Sequence, residues 1–533
     1  MQWSVRRVAL SWLLFPTLLV VCPLRGQTQG IDDLLQSAAA AQSSGNYAEA
    51  ATLYARTTTL SPNTPELWAN RGVMEYLAGQ PEASVTSLKH ALQLNPSLFT
   101  PMLFLGKAYV QTGKPALALP YLNHAHALRA NDVEVLLALG KANADLNRQR
   151  QAASLYANAA QLASNNPAAW LGLGVAALEV ITDDGRNLAA SQAQSVWARA
   201  LYADELLAQG RPLEATDTYK AALAAASPAQ AATLARTLQW LQSHPDVSPL
   251  PPNSQEALRQ LLEQLNDGQP KSVREEASVP PCATTAPLLE EAACKYWAGD
   301  YERSASQASQ ALRQSPQNAE ALYWSVKANE RLAVAALAHF EELAPQSATN
   351  YVMVGDLYRH QRENDSALGE YKKALAIDAH DQGALMGTVL ADLATSKLDD
   401  AAATDQVALA DQPLDPQLNL LMAEILAAGD HYDQVKTYLA KCANAPPELQ
   451  PRVHLLLGRA DARDGETEEA IRQFELALPG DQDGSIHYQL SRLYRKTGKV
   501  AQAEKAEAGA RALIRQRDVN AAIAVREATG TTP

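Results

Sequence analysis

Gly72, Gly106, Gly140 and Gly174 recur at one constant interval of 34 residues, and Gly45, Gly79 and Gly113 repeat at the same interval. A fixed period of this length restricts the chain to a stacked array, in which each unit buries its apolar face against its neighbours. Within a unit, two short amphipathic stretches, for example Met102 to Thr112 and Pro115 to Leu128, flank a glycine suited to the positive φ that ends a helix. Each unit therefore reads as a helical hairpin. Gly106 in the first helix and Ala118 and Ala125 in the second permit close approach, while Leu105, Tyr109 and Leu122 fill the seam between them.

Other positions align in the same register. Trp68 and Trp170 each precede a repeat glycine by four residues, Tyr54 and Tyr156 occupy equivalent places in the second half of their units, and Pro62 and Pro96 close theirs. In Leu105-Gly106-x-x-Tyr109, Trp170-x-x-Leu173-Gly174 and Ala152-x-x-x-Tyr156 the chain resembles the tetratricopeptide repeat family. The resemblance covers most of the chain, with units beginning near residues 31, 65, 99, 133, 167 and 196, then 285, 319, 348, 382, 416, 451 and 484. Arg71, Val389 and Thr57 depart from the residue types that the family favours there. The resemblance implies an all-α fold, an α-solenoid of stacked helical hairpins, that binds protein or peptide segments in concave grooves.

Two places interrupt the period. Ile181-Thr-Asp-Asp-Gly-Arg186 stands where a hairpin turn belongs, and Leu322 to Leu343 lacks turn residues, so the unit near 319 is either a shortened hairpin or one long helix. Pro249-Leu-Pro-Pro252, Asn266-Asp-Gly-Gln-Pro270 and Val279-Pro-Pro281 bound a stretch without the repeat signature, with helices expected at 229–243 and 254–266. The expected organisation is a signal peptide at 1–27, an array at 28–229, a helical linker with Pro-rich loops at 230–284, a second array at 285–517 and a tail at 518–533. The linker reads as a joint between two arrays.

Arg6 and Arg7 precede an apolar run from Val8 to Cys22, which reads as an export signal and is short for a bilayer span of about 20 residues. The expectation is an exported, periplasmic or envelope-associated protein with no transmembrane helix in the mature chain. Lipid attachment at Cys22 is disfavoured, because Val21 is bulky and Pro23 follows. Export leaves Cys282, Cys294 and Cys442, and a linker of this length can fold Cys282 back beside Cys294. A Cys282–Cys294 disulfide and two free thiols stand as equal alternatives. Cys442 occupies a small-residue slot and is expected buried and unpaired.

The formal charge of −13 argues against a general nucleic-acid binder, which needs clustered Lys and Arg. No metal, haem, phosphate-loop or hydrolase-elbow signature occurs, so neither cofactor nor catalysis is expected. His124-x-His126 places its rings on different helix faces, and Leu171-Gly-Leu-Gly174 lacks a preceding strand and a third glycine.

The resemblance implies that residues one, four and five places after the repeat glycine face the groove. In the first half this column holds Lys107 and Lys141. In the second it holds Asp356, Arg359 and His360, then Leu390 and Glu424, then Arg459, Arg463, Arg492, Arg495 and Lys496, with Arg452 at the edge. Such cations suit carboxylates. The competing reading pairs them with Asp461, Asp464, Glu466, Glu468 and Glu469. Tyr296, Trp297, Tyr323 and Trp324 read as packing in preference to a binding stripe. The function implied is a noncatalytic scaffold whose second groove favours an acidic segment. The alternative is a noncatalytic subunit of an envelope complex acting on peptidoglycan or sugar.

Overall fold

The computed structural model describes residues 25–245, 250–266 and 287–529. The chain divides into two compact units, Met1–Ser164 and Asn165–Pro533. The first holds helices α1 (Arg25–Ser43), α2 (Tyr47–Leu60), α3 (Pro65–Leu77), α4 (Pro81–Leu94), α5 (Phe99–Gln111), α6 (Pro115–Leu128), α7 (Val133–Ala144) and α8 (Gln149–Leu162). They pack as four successive hairpins, α1 with α2 through α7 with α8. Pro81 and Pro115 open their helices where no intrahelical N–H bond is lost.

Where a glycine stands at the hairpin seam, the packing depends on its missing Cβ. A methyl group added at Gly72 would lie 2.5 Å from Leu88 Cγ, and one at Gly140 would lie 2.8 Å from the Tyr156 ring. Each hairpin turn needs one left-handed residue. Gly45, Gly79 and Gly113 fill that slot with φ near 78°, 74° and 68°, and Asn147 fills it next with φ 56°.

The second unit begins with α9 (Pro167–Gln192), α10 (Val196–Ala208), α11 (Pro212–Ala225), α12 (Pro228–Ser243), α13 (Pro252–Asn266), α14 (Leu288–Trp297), α15 (Tyr301–Gln314) and α16 (Ala319–Leu343). It continues with α17 (Ala348–His360), α18 (Asn364–Ile377), α19 (Gln382–Ala394), α20 (Leu398–Asp411), α21 (Pro416–Ala428) and α22 (Tyr432–Leu439). The last helices are α23 (Gln450–Asp464), α24 (Thr467–Ala477), α25 (Ser485–Lys496) and α26 (Val500–Thr529). From α17 onward, hairpins again follow in order, and their left-handed slots are Arg362, Ser396, Asp430, Gly465 and Gly498.

Both interruptions of the period resolve into long helices, and the two helices pair with each other. Helix α9 runs through the segment 181–186 without a turn, and α16 is one helix of 25 residues. They pack antiparallel: Trp170 meets His339 with ring centroids 4.5 Å apart, and the Ser191 hydroxyl lies 2.6 Å from Gln317 Oε1. A Cβ on Gly174 would lie 2.5 Å from Leu337. These contacts reproduce the hairpin of α3 and α4, where Gly72 meets Leu88 and Trp68 meets His90 at 4.3 Å. The register then resumes: Leu337 precedes Gly355 by 18 residues, as Leu88 precedes Gly106. The C-terminal half of α16 is therefore the second helix of the hairpin that α9 begins, and α10–α15 are inserted between its two arms.

The insertion has its own core, which includes Trp197, Trp240, Tyr296, Trp297, Tyr323 and Trp324, all buried. Trp240 Nε1 donates to the Trp297 carbonyl at 3.1 Å, and the Ser254 hydroxyl donates to the Leu207 carbonyl at 2.8 Å, tying α12 to α14 and α13 to α10. This differs from the expected arrays at 28–229 and 285–517 joined by a linker. The described part of 230–284 lies inside the inserted bundle, and α14 and α15 share its core. The physical reason is that two missing turns let α9 and α16 extend past the repeat and carry the bundle between them.

Gly174→Leu forces a side chain into Leu337 and should destabilise the protein by about 1–3 kcal/mol. Adding Leu337→Ala should recover part of that loss in thermal unfolding, whereas strict additivity would show that the two positions do not touch. A separate expectation concerns Asp405 in α20, which is fully buried with neither carboxylate oxygen hydrogen-bonded among the described residues. Burial, reinforced by the Asp415 charge, pushes its carboxyl from 3.8 up to about 7. The folded state thus holds this proton more tightly than the unfolded chain, so its contribution to stability declines as pH rises from about 4 to about 7. Asp405→Asn should remove that decline, with a gain approaching about 4 kcal/mol at pH 8 and little at pH 4. Identical pH profiles by urea unfolding would contradict the assignment.

Candidate functional site

Two pairs of successive first helices are joined by ion pairs at the same repeat positions. Lys107, one residue after Gly106, pairs with Glu134, six residues before Gly140. Glu424, one residue after Ala423, receives both Nε and Nη2 of Arg452, six residues before Gly458, at 2.9 and 2.7 Å. The same rung is built twice with its charges exchanged. Lys107 also lies over the Phe104 ring, with Nζ 5.4 Å from the centroid, so its cation is engaged twice. Lys141 on α7 pairs with Asp145, which caps the end of the same helix, at 2.5 Å.

Arg459 stands one residue after Gly458, and the place that would answer it across the rung is Ser485, which carries no charge. Among the described residues Arg459 makes no ion pair, and it is exposed on α23. Arg492 and Lys496 are likewise exposed and unpaired among the described residues, four residues apart on α25. Tyr488, 56% exposed, precedes Arg492 by one turn, so Tyr488, Arg492 and Lys496 form a single stripe along the helix.

The other expected cations are occupied. Arg463 grips Asp430 through both Nη atoms and lies 5.2 Å from the Tyr432 ring, and the Asp430 hydrogen bonds raise its pKa. Arg495 pairs with Glu507. Arg359 pairs with Asp356 at 3.3 Å, and Asp356 also accepts from the Tyr371 hydroxyl at 2.8 Å. Burial and that hydrogen bond hold the Tyr371 phenol up at about 12. Arg359 sits on α17, separated in the hairpin order from α23 and α25.

The acids nearest in sequence do not neutralise the open cations. Lys436 takes Asp461 at 2.8 Å, Asp464 at 2.6 Å and Glu466 at 3.4 Å, and these carboxylates raise the lysine's pKa. Glu468 goes to Lys499 at 2.7 Å and Glu469 to Arg472. Of the five clustered cations, Arg459, Arg492 and Lys496 remain open, and Arg463 and Arg495 flank them as paired groups. Tyr488 was missed because the groove column counted only positions after the small residue. A four-residue spacing toward Arg492 was the available signal.

Tyr296, Trp297, Tyr323 and Trp324 belong to the core of the insertion and present no stripe to solvent. Cys294 is disulfide-bonded, and Cys282 lies outside the described residues. Cys442 is a buried free thiol whose pKa burial raises. Among the described residues, no group of three His, Cys, Asp or Glu side chains is placed to hold a metal, and no helix is long and apolar enough to cross a membrane.

The model of the tetratricopeptide repeat family matches residues 35–98 and 296–351. In those two segments the chain is similar to tetratricopeptide repeats, and the all-α stacking of helical hairpins described above continues beyond them. No curated protein matches the sequence. Solved structures that resemble parts of it include MamA of Desulfovibrio magneticus, at 19% identity over 28% of this chain and 84% of that one, with a TM-score of 0.27. Another is a tetratricopeptide repeat protein of Thermus thermophilus, at 20% identity over 34% of this chain and 97% of that one, TM-score 0.28. YrrB, described as having an unusual peptide-binding site, matches at 21% identity over 28% of this chain and 82% of that one, TM-score 0.26.

Proposed function

We propose that the protein is an exported, noncatalytic scaffold that captures an acidic segment of a partner protein along α23 and α25. The observation that carries this reading is the trio Arg459, Arg492 and Lys496, exposed and, among the described residues, without ion-pair partners, while Asp461, Asp464, Glu466, Glu468 and Glu469 are engaged elsewhere. A guanidinium without a partner offers a carboxylate two parallel hydrogen bonds, and Tyr488 adds an amphipathic surface beside it. The overall charge of −13 repels acidic chains in general, so capture depends on this local patch. Export rests on Arg6-Arg7 followed by the apolar run to Cys22, which lies outside the described residues.

The test is fluorescence anisotropy with a labelled Asp/Glu-rich peptide. Each of Arg459→Ala, Arg492→Ala and Lys496→Ala should weaken binding about tenfold, the loss of one charge-assisted contact of about 1.5 kcal/mol. Affinity should fall with added salt. Arg463→Ala should have a smaller effect because Asp430 already occupies it. Equal affinity in all four variants would remove the site from consideration. Fractionation of cells producing the chain with and without residues 1–27 tests export separately, and only the longer form should reach the envelope.

A further inference from the structure

A cavity opens between the insertion and the long helices α9 and α16. It has a volume of about 490 Å³, within the range of roughly 300–1,000 Å³ typical of binding pockets. Its walls are formed by α9 between Ile181 and Ala189, by α16 between Val326 and Val334, by α10, by Leu241 of α12 and by Leu250. Ile181, Leu188, Leu201, Leu241 and Val326 make them apolar. At the mouth, Tyr202 is 54% exposed and Val334 65% exposed, so neither side chain is consumed by the fold.

The floor is polar. Lys327 is buried, and its ammonium lies 2.9 Å from Asp204 and 3.4 Å from Glu330. Asp204 also accepts from the hydroxyls of Tyr219 and, at 3.4 Å, Tyr323. A buried ion pair is costly to desolvate, and an apolar packing would serve stability as well or better. A lysine has three N–H donors, and here two are directed to carboxylates. The charged groups lining the cavity are three carboxylates, Asp204, Glu205 and Glu330, against two cations, Lys327 and Arg331. Arg331 is engaged, with Nε 3.4 Å from the Tyr296 hydroxyl. Glu205 is exposed and, among the described residues, accepts from the neutral Gln209 amide alone, at 2.7 Å.

We propose that this cavity is a second recognition site, which takes a large apolar side chain of a partner peptide flanked by a basic residue. The apolar walls receive the side chain, the remaining N–H of Lys327 is available to a peptide carbonyl, and Glu205 with Glu330 at the polar edge receives the flanking cation. Its charge preference is opposite to that of the α23 and α25 patch, and it shares no residue with that patch. The two sites therefore fail or succeed independently.

The experiment uses the full chain and two blocked, fluorescently labelled tetrapeptides, Lys-Leu-Phe-Lys and Glu-Leu-Phe-Glu, in anisotropy titrations. The basic peptide should bind at least tenfold more tightly than the acidic one. Val334→Arg, at an exposed position that leaves the core untouched, should weaken it by tenfold or more, and Glu205→Gln should narrow the difference between the two peptides. The triple variant Arg459→Ala/Arg492→Ala/Lys496→Ala should leave the basic peptide's affinity unchanged. The proposal is overturned if the basic peptide does not bind at millimolar concentration, if both peptides bind alike, or if Val334→Arg has no effect.

Discussion

A large side chain lying where a Cβ would otherwise be is the contact on which the glycine-seamed hairpins depend. Gly72 receives Leu88, Gly140 receives Tyr156, Gly355 receives Tyr371 and Gly458 receives Phe474, each between the two arms of one hairpin. The same contact between Gly174 and Leu337 joins residues far apart in sequence. Because the seam is specified by one small and one large residue at fixed positions, it tolerates a long excursion of the chain between them. Loop-closure entropy grows only slowly with length, so the insertion of α10–α15 costs the hairpin little once its own core of buried tryptophan and tyrosine is formed.

Much of the architecture was legible in the glycine interval, since Gly72 to Gly174 mark the first helices and Gly45 to Gly113 the turns. What the interval hid is that the turn slot is a backbone conformation and not a residue type. Asn147, Arg362, Ser396 and Asp430 adopt the same positive φ, so four turns continue the register without a glycine to announce it. The pairing of α9 with α16 was illegible for a different reason. Each long helix was visible alone as a missing turn near 181 and after 322, but nothing in a local window says that two defects complement each other. The identity of Leu337 with Leu88, His339 with His90 and Pro345 with Pro96 was the available signal, and it required aligning second helices across the insertion.

The charged groove was legible by position and not by state. Register placed Arg459, Arg463, Arg492, Arg495 and Lys496 on successive first helices, but whether a cation is open depends on what answers it one hairpin away. Glu134 answers Lys107, Arg452 answers Glu424, and Ser485 leaves Arg459 unanswered. Where such a rung is formed it also decides which charges remain unpaired. Buried aromatic residues of the insertion follow the opposite logic, because side chains such as Trp324 and Tyr296 are consumed by packing.

Helices α9 and α16 are the two arms of one hairpin, and the rest of the second unit is arranged around that pairing. Ser191 and Gln317 lie at its inserted end with their side chains 2.6 Å apart, and both are exposed. Treating the full-length Ser191→Cys/Gln317→Cys variant with a short bismaleimide, followed by proteolysis and mass spectrometry, measures this directly. A high-yield intramolecular crosslink between residues 191 and 317 at dilute concentration is expected. Two arrays joined by a hinge would give no such crosslink, and that result would contradict the pairing.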